Sequence, residues 1–352
     1  MFPWFKILKA WLPLVALLLG ACSSETPVET LRVLAWPGYA DADVVAAFEH
    51  RHQVRVAVTQ VRSDDELWAH MSATQGRDFD LFAVNTAELK RYIDSGLSVA
   101  LDLAALPGTA RQLPRFRDHA AIPGITRDGA VHAIPFTYSE MGLIYDKARV
   151  LEPPVSMAAM WDPRYQGKVL AYDASSHNFS LAALLLGAAD PFQLDDTLFA
   201  ASVEKLLALR RNVLTFYSTP EDAVELSLNN HVALIFGNYG TQQLKQLRDA
   251  GIDAGYVIPQ EGVLAWLDCW VISRGAKNRA LAHAWIDYML EPQVNQILTD
   301  RQGLANTLTP SLSAADAERV IWLQPVEDYS RRARLWEKIR SGDRDESAGG
   351  EG

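Results

Sequence analysis

A single carboxylate lies between two tryptophans in the stretch 263–273, which reads "VLAWLDCWVIS". The alternation of side chains, with β-branched and aromatic residues, predicts a strand that carries Trp266, Asp268 and Trp270 on one face. Indole faces attract cations and a carboxylate accepts charge-assisted hydrogen bonds, so this face could bind an organic ammonium ion. In the alternative interpretation, Asp268 only accepts a backbone hydrogen bond near the end of the strand.

Further aromatic and polar side chains follow other predicted strands. The tight loop "WPGY" places Trp36 and Tyr39 after the first strand. The other candidates for the wall of a binding site are Tyr138 in "IPFTYSE", Asp173 and Ser175 in "AYDASSHN", Ser218 in "FYSTPED" and Phe236 in "VALIFG". Each has an alternative role in packing, but together with the 263–273 strand they favour a ligand site.

Motifs of common enzyme classes are missing from the sequence. There is no glycine-rich phosphate loop, no HExxH motif and no Gly-x-Ser-x-Gly nucleophile elbow. The eight histidines are scattered, and no two carboxylates stand out as an acid/base pair. We therefore predict a protein that is not an enzyme and has no catalytic residues, metal or cofactor. An extracytoplasmic hydrolase that uses Asp268 or Glu140 is the less favoured alternative.

The N-terminal residues predict export and a lipid anchor. Two lysines precede the short apolar run Trp11–Leu19, which is too short to span a bilayer and is typical of a signal peptide over residues 1–21. The following "LGAC" resembles the bacterial lipoprotein cleavage box, in which Cys22 is acylated, and residues 22–30 would form a tether. The alternative is an ordinary cleaved signal. We expect a periplasmic protein anchored to the outer membrane or to the outer leaflet of the inner membrane.

Charge and cysteine content narrow the expected partners. Loss of residues 1–21 removes two lysines and no acids, which changes the formal net charge from −10 to −12. A protein with this negative charge is not expected to bind nucleic acid, and the charge mildly favours cationic partners. Once Cys22 is acylated, Cys269 has no partner for a disulfide and is expected to be a small core residue.

Alternating strand and helix patterns predict an α/β fold with parallel strands covered by helices. Ligands of such sheets bind beyond the carboxyl ends of the strands, where Trp36 and Asn85 are expected. The length exceeds one ordinary core, yet no linker divides the chain, so two interleaved lobes joined by crossing strands are predicted. The expected boundaries are residues 31–133 with 264–312 for lobe 1, 134–263 with 313–340 for lobe 2, and a disordered tail over 341–352.

Five stretches resemble, in order, the spermidine/putrescine-type periplasmic solute-binding proteins, which are the capture subunits of ABC importers. They read "LRVLAWPGY", "FDLFAVN", "IPFTY", "MWDPRYQGKVLAYD" and "EGVLAWLDCWVISRGAKN". The resemblance implies a two-lobed, type II-like periplasmic-binding-protein fold that closes on its ligand. It also implies a monomer that delivers a small amine to a permease in the inner membrane. A lipoprotein that senses the same ligand and docks on a membrane signalling receptor is the alternative function.

The resemblance also implies roles for particular residues. Trp36, Tyr39, Trp266 and Asp268 match the family's aromatic box and carboxylate for a primary amine. Ser218 matches a family contact. Further residues that match the site region, or that could line it, are Phe236 in place of a family tryptophan, Tyr138, Asp173, Ser175, Glu140 and Gln324.

Departures from the family pattern bear on the ligand. Gly38 occupies the position of the first loop at which the family usually has an acidic residue. The second acidic residue that the family has after "GKVL" is also missing, because this sequence reads "DASSH" there. A long polycation therefore fits poorly. We predict a short amine whose second end is neutral or anionic, such as the ω-amino acid γ-aminobutyrate, with a diamine such as putrescine as a close second.

Overall fold

The computed structural model describes residues 28–342. The predicted signal peptide, Cys22, most of the predicted tether and the tail beyond residue 342 lie outside the described residues, so the expectations for them stay predictions.

Lobe 1 is built on a mixed sheet in the order β13-β6-β12-β3-β1-β2, with β14 paired to β12. Its strands are β1 (Thr30–Ala35), β2 (Arg55–Gln60), β3 (Leu81–Asn85), β6 (Ile134–Glu140), β12 (Val263–Ile272), β13 (Ala305–Asn306) and β14 (Val320–Trp322). A separate hairpin joins β4 (Thr126–Arg127) to β5 (Ala130–Val131). The helices in these parts of the chain are α1 (Ala42–His52), α2 (Asp64–Ala73), α3 (Thr86–Asp94), α4 (Pro114–Arg117), α9 (Arg279–Met289), α10 (Pro292–Gln302) and α11 (Ala314–Ala317).

Lobe 2 contains a second sheet in the order β11-β7-β10-β8-β9. Its strands are β7 (Leu143–Asp146), β8 (Val169–Tyr172), β9 (Val213–Tyr217), β10 (Leu234–Phe236) and β11 (Ala254–Val257). Its helices are α5 (Ser175–Leu185), α6 (Asp196–Asn212), α7 (Pro220–Asn230), α8 (Gly240–Asp249) and α12 (Tyr329–Ser341), the last of which packs on α5 and α6. Short 3-10 turns occur at Leu103–Ala105, Pro107–Arg111, His119–Ala121, Met157–Trp161 and Pro163–Tyr165.

The chain crosses between the lobes three times, after β6, between β11 and β12, and after β14. The predicted α/β fold with two interleaved lobes is confirmed. The observed boundary differs in two places, because β6 and β14 were expected in lobe 2. Both strands pair with β12, and every residue of β6 is buried, so both belong to the sheet of lobe 1.

The strand predicted over residues 263–273 is β12, a central strand of the lobe 1 sheet. Leu267, Cys269 and Val271 enter one core cluster, whereas Trp270 and Ile272 enter the cluster on the other face. The two-residue alternation therefore holds in the folded strand. The register with β6 shifts between Asp268 and Cys269, which is a β-bulge beside the predicted binding residue.

Candidate ligand-binding site

Asp268 is a buried carboxylate at the centre of the lobe 1 sheet. Its residue is 6% exposed, and its Oδ2 accepts a hydrogen bond of 2.5 Å from the Tyr39 hydroxyl. None of the ion pairs formed within the described part of the chain involves it. Burial raises the pKa of the Asp268 carboxyl to about 7, although the hydrogen bond from Tyr39 lowers it. A buried carboxylate without a cationic partner is costly, so this position is suited to binding a cation.

Tyr39 is aimed at Asp268 by a type II turn. The Tyr39 N–H donates to the Trp36 carbonyl over 3.2 Å, and Gly38 has φ +83° at the turn position that requires a positive φ. The Tyr39 ring is buried and packs edge-on against Phe136, with ring centroids 5.5 Å apart. Burial, followed by the charge of Asp268, raises the pKa of the Tyr39 phenol, so Tyr39 is a hydrogen-bond donor.

Two tryptophans form part of the surroundings of this carboxylate. Trp36 is partly buried between the two core clusters of lobe 1, and its indole N–H has no acceptor within the described residues. Trp266 packs against both lobes, and its indole N–H donates over 3.0 Å to the Asn238 carbonyl of lobe 2. Trp266 therefore connects the sheet of lobe 1 with the facing loop of lobe 2.

Ser139 and Gly240 show how closely the lobes approach beside Trp266. Ser139 lies opposite Trp266 in the β6–β12 pair, and its buried hydroxyl has no partner among the described residues. A Cβ added at Gly240, the first residue of α8, would lie 2.2 Å from the Ser139 hydroxyl oxygen. Only glycine allows this approach, and Ser139 was not predicted to lie here.

The facing wall in lobe 2 is aromatic and uncharged. The Tyr172 ring stacks on His177 with centroids 5.6 Å apart, and it meets Tyr239 edge-on at 5.7 Å. His177 Nδ1 lies 3.0 Å from Asn238 Oδ1. Burial lowers the pKa of His177 to about 4, so its imidazole is neutral at pH 7. Tyr172 and Asn238 were not among the site residues predicted from the sequence.

A second carboxylate, Asp64, lies close to Asp268. It is the first residue of α2, after the cap Ser63, whose hydroxyl accepts the Glu66 N–H. The Asn85 side-chain amide donates to Asp64 Oδ1 over 3.0 Å, and Asn85 lies directly opposite Asp268 in the β3–β12 register. Asp64 was not predicted as a site residue, because Ser63-Asp64-Asp65-Glu66 has the pattern of a helix-capping box and indicates only the start of a helix.

Three further predicted residues, Ser218, Ser175 and Phe236, lie in lobe 2. Ser218 is exposed, and its carbonyl accepts a hydrogen bond of 2.8 Å from the Tyr239 hydroxyl. Ser175 is buried at the start of α5, and Phe236 is fully buried in the core of lobe 2. Of these residues, Ser218 is linked to the wall of lobe 2 through a ring that contacts Tyr172.

Three predicted candidates are bonded elsewhere. Asp173 accepts hydrogen bonds from the Trp336 indole over 2.8 Å and the Arg340 guanidinium over 2.7 Å, both on α12. Tyr138 lies on the face of the sheet opposite Asp268, where it is bonded to Arg115 and Ser311. The fully buried Glu140 accepts a long hydrogen bond from Ser311, and Gln324 is exposed.

Residues 28–342 contain neither a clustered set of metal-ligating side chains nor a helix that could span a membrane. No group of three or more histidine, cysteine or acidic side chains in this range is arranged to hold a metal ion. Within the same range, no helix has both the length and the apolar character that crossing a bilayer requires.

The chain belongs to the family of bacterial extracellular solute-binding proteins, whose sequence profile matches residues 43–322. Members of this family capture solutes and are not enzymes. A curated relative is the putrescine-binding periplasmic protein PotF of Escherichia coli K12. It is 25% identical over 372 aligned positions, which cover 95% of this chain and 98% of the relative. The resemblance to the spermidine/putrescine-type proteins is therefore confirmed.

Solved structures share the fold. The TpPotD lipoprotein of Treponema pallidum superposes with a TM-score of 0.77 at 19% identity, covering 89% of this chain and all of that one. The Atu4243–GABA receptor structure superposes with a TM-score of 0.70 at 17% identity, covering 90% of this chain and 98% of that one. These similarities show the two-lobed architecture of periplasmic binding proteins.

Proposed function

We propose that this protein is the solute-binding component of an ABC importer and that it captures a small amine between its lobes. One observation carries the proposal: the buried Asp268 carboxylate has a phenol donor and no cationic partner among residues 28–342. An organic ammonium ion would supply the missing positive charge. The relationship to a protein named for putrescine binding supports the same ligand chemistry.

The energetics require contacts at both ends of the ligand. A cation over an aromatic face contributes about 0.5–2 kcal/mol, and one charge-assisted hydrogen bond contributes about 1.5–3 kcal/mol. Capture at micromolar concentration needs about 8 kcal/mol, so one ammonium group at Asp268 is not sufficient. The second end must bind elsewhere in the cleft, where Tyr172, Asn238 and Tyr239 offer neutral polar groups and Asp64 offers a negative charge.

The second end distinguishes a diamine from an ω-amino acid. Of the two predicted ligand types, γ-aminobutyrate needs a positive group or several donors for its carboxylate, whereas putrescine needs a second acceptor. Arg91 lies beside Asp64, but its guanidinium already contacts the Glu88 carboxylate and the Asp64 carbonyl. This charge distribution favours the diamine.

The proposed setting follows from the family and from the N-terminal sequence. A periplasmic protein of this kind delivers its ligand to a permease in the inner membrane and acts as a monomer. Acylation of Cys22 would hold it at a membrane surface through a short tether. Mass spectrometry of the purified N-terminal peptide tests this anchor, and an unmodified Cys22 would contradict it.

Isothermal titration calorimetry with a matched ligand panel tests the proposed function. The panel is putrescine, γ-aminobutyrate, spermidine and the neutral analogue 1,4-butanediol. We expect micromolar or tighter binding of a short amine and no binding of the diol. Absence of binding for every amine would contradict the proposal, and tight binding of spermidine would contradict the assignment to a short ligand.

A further inference from the structure

We propose that Asp64 is a second ligand-binding carboxylate and that it makes this cleft prefer a dication to a zwitterion. The inference rests on the proposed function, because it concerns the same cleft. It adds a specificity-determining residue on a different element, at a position where sequence reasoning identified only the start of a helix.

The first step is the position of Asp64 relative to Asp268. Opposed residues of an antiparallel pair have Cβ atoms about 4.5–5.5 Å apart and project from the same face. Asn85 and Asp268 are such a pair, and the Asn85 amide nitrogen lies 3.0 Å from Asp64 Oδ1. Asn85 therefore holds Asp64 beside the face of the sheet from which Asp268 projects.

The hydrogen bond to Asn85 leaves Asp64 able to bind a ligand. Asn85 itself is held, because its Oδ1 accepts the Glu88 N–H and caps α3. Only Asp64 Oδ1 is hydrogen-bonded to this amide, and a carboxylate has further acceptor capacity on both of its oxygens. The Asn85 amide thus holds the Asp64 carboxylate in place and leaves it with acceptor capacity for a ligand, as a ligand-binding side chain requires.

The second step is the electrostatic surroundings of Asp64. Burial, followed by the negative charges of Glu88 and Asp268, raises the pKa of the Asp64 carboxyl to about 7, and the charge of Arg91 lowers it. Asp65 adds a smaller contribution in the raising direction. The negative charges around Asp64 thus outweigh the single guanidinium, and a bound dication would relieve their repulsion.

The third step is that the charge of Asp64 acts on groups of lobe 2. Burial raises the pKa of the Tyr172 phenol, and the charge of Asp64 raises it further. The same charge contributes to the raised pKa of Tyr329 at the start of α12, after burial and the charges of Asp65 and Glu88. Asp64 of lobe 1 is therefore close to groups of lobe 2, as a residue that contacts an enclosed ligand must be.

The consequence is a difference between two ligands of similar length. Putrescine carries two positive charges, which Asp64 and Asp268 can both bind. γ-Aminobutyrate carries one ammonium and one carboxylate, and the carboxylate would be repelled by whichever acid it faces. The charge at position 64 should therefore determine the ratio of the two affinities.

The test is calorimetry of putrescine and γ-aminobutyrate with Asp64→Asn. This substitution keeps an oxygen that can accept the Asn85 hydrogen bond and removes only the charge. We expect putrescine affinity to fall about 10- to 100-fold, the loss of a charge-assisted hydrogen bond. The affinity for γ-aminobutyrate should be unchanged or higher, so that the selectivity ratio falls or reverses. Asp64→Glu should restore part of the preference for putrescine.

The matched control is Asp65→Asn, which removes an exposed charge from the next residue of the same helix. It should change both affinities by less than about threefold, since exposed charges are well screened. Equal effects of the two substitutions, or an unchanged ratio in Asp64→Asn while Asp268→Asn abolishes binding, would overturn the inference and leave the proposed function standing. If the wild-type protein binds no amine, the proposed function fails and this inference fails with it.

Discussion

At the residue scale, the buried Asp268 carboxylate lowers the stability of the ligand-free protein and is also the group proposed to bind the amine. Its carboxyl is enclosed by the sheet of lobe 1 and the loop that carries Tyr39, and burial raises its pKa from 3.8 to about 7. A carboxyl whose folded pKa is raised stabilises the fold at pH values below its unfolded pKa, and this contribution is lost as the pH rises through 7. The free protein should therefore be less stable at pH 8 than an equivalent protein without this charge.

Asp268→Asn tests that cost directly. The shift of about three pKa units corresponds to at most about 4 kcal/mol at pH 8. We expect the ligand-free variant to unfold at a temperature several degrees higher than the wild type at pH 8 and to lose amine binding. At pH 4 the two proteins should unfold at closely similar temperatures. A lower unfolding temperature for the variant at pH 8 would mean that the carboxylate is already neutralised within the protein.

Amine affinity should depend on pH over the range in which Asp268 titrates. An ammonium ion binds the carboxylate and not the neutral acid, so affinity should fall about tenfold for each pH unit below 7 for every proton that binding releases. Binding at pH 6.5 should release protons. Calorimetry of wild-type protein in two buffers of different ionisation enthalpy measures this release. A constant affinity between pH 5.5 and 7.5 would be inconsistent with the raised pKa.

The arrangement around Asp268 was predicted in part by a local strand rule and in part by the family resemblance, which implied that Tyr39 lies beside this carboxylate. Strand alternation put Trp266 and Asp268 on one face, and the Trp-Pro-Gly-Tyr turn aimed Tyr39 back at the sheet. Asp64 was missed because its position depends on how α2 packs beside β3. The bonding of Asp173 to α12 was also unpredictable, since it depends on contact between residues more than 160 positions apart.

At the element scale, α12 is fixed to lobe 2 by a buried guanidinium. Arg332 is fully buried, and it forms a two-pronged pair with the Glu327 carboxylate at 2.9 and 2.6 Å. Its Nη1 donates to the Ser180 hydroxyl over 2.9 Å. The hydrogen bond to Ser180 connects the last helix to α5, which begins at Ser175.

Arg332→Met should destabilise the protein by about 3–5 kcal/mol, because the Glu327 carboxylate loses its partner in a mostly buried setting. Arg334→Met, at an exposed position of the same helix, is the matched control and should change stability by less than about 0.5 kcal/mol. Urea unfolding followed by circular dichroism measures both. Similar losses for the two variants would show that the buried pair has no special role.

Sequence patterns predicted the alternation of strands and helices, but they did not predict the lobe to which every strand belongs. β12 follows the alternation predicted for residues 263–273, and β1 precedes the predicted loop of Trp36 and Tyr39. The segments β6 and β14 were expected in lobe 2 because they are adjacent along the chain to lobe 2 residues. Pairing with β12 is a long-range contact, and a short apolar strand carries no mark of the sheet that it joins.

At the scale of the whole molecule, the chain crossings join two separately packed cores. Trp266 contacts both lobes, and the Thr241 hydroxyl of α8 donates over 2.6 Å to the Gly303 carbonyl of lobe 1. Motions of one lobe against the other would open and close the space that contains Asp64, Asp268 and Tyr172. The interleaving itself was predictable, because the sequence is too long for one core and contains no linker.

The most direct measurement is a crystal structure of the protein with putrescine bound. The account predicts a ligand nitrogen at hydrogen-bond distance, about 2.7–2.9 Å, from an Asp268 carboxylate oxygen, with Trp36 and Trp266 beside it. A structure in which the amine lies elsewhere, while Asp268 is bonded only to Tyr39, would contradict the central claim.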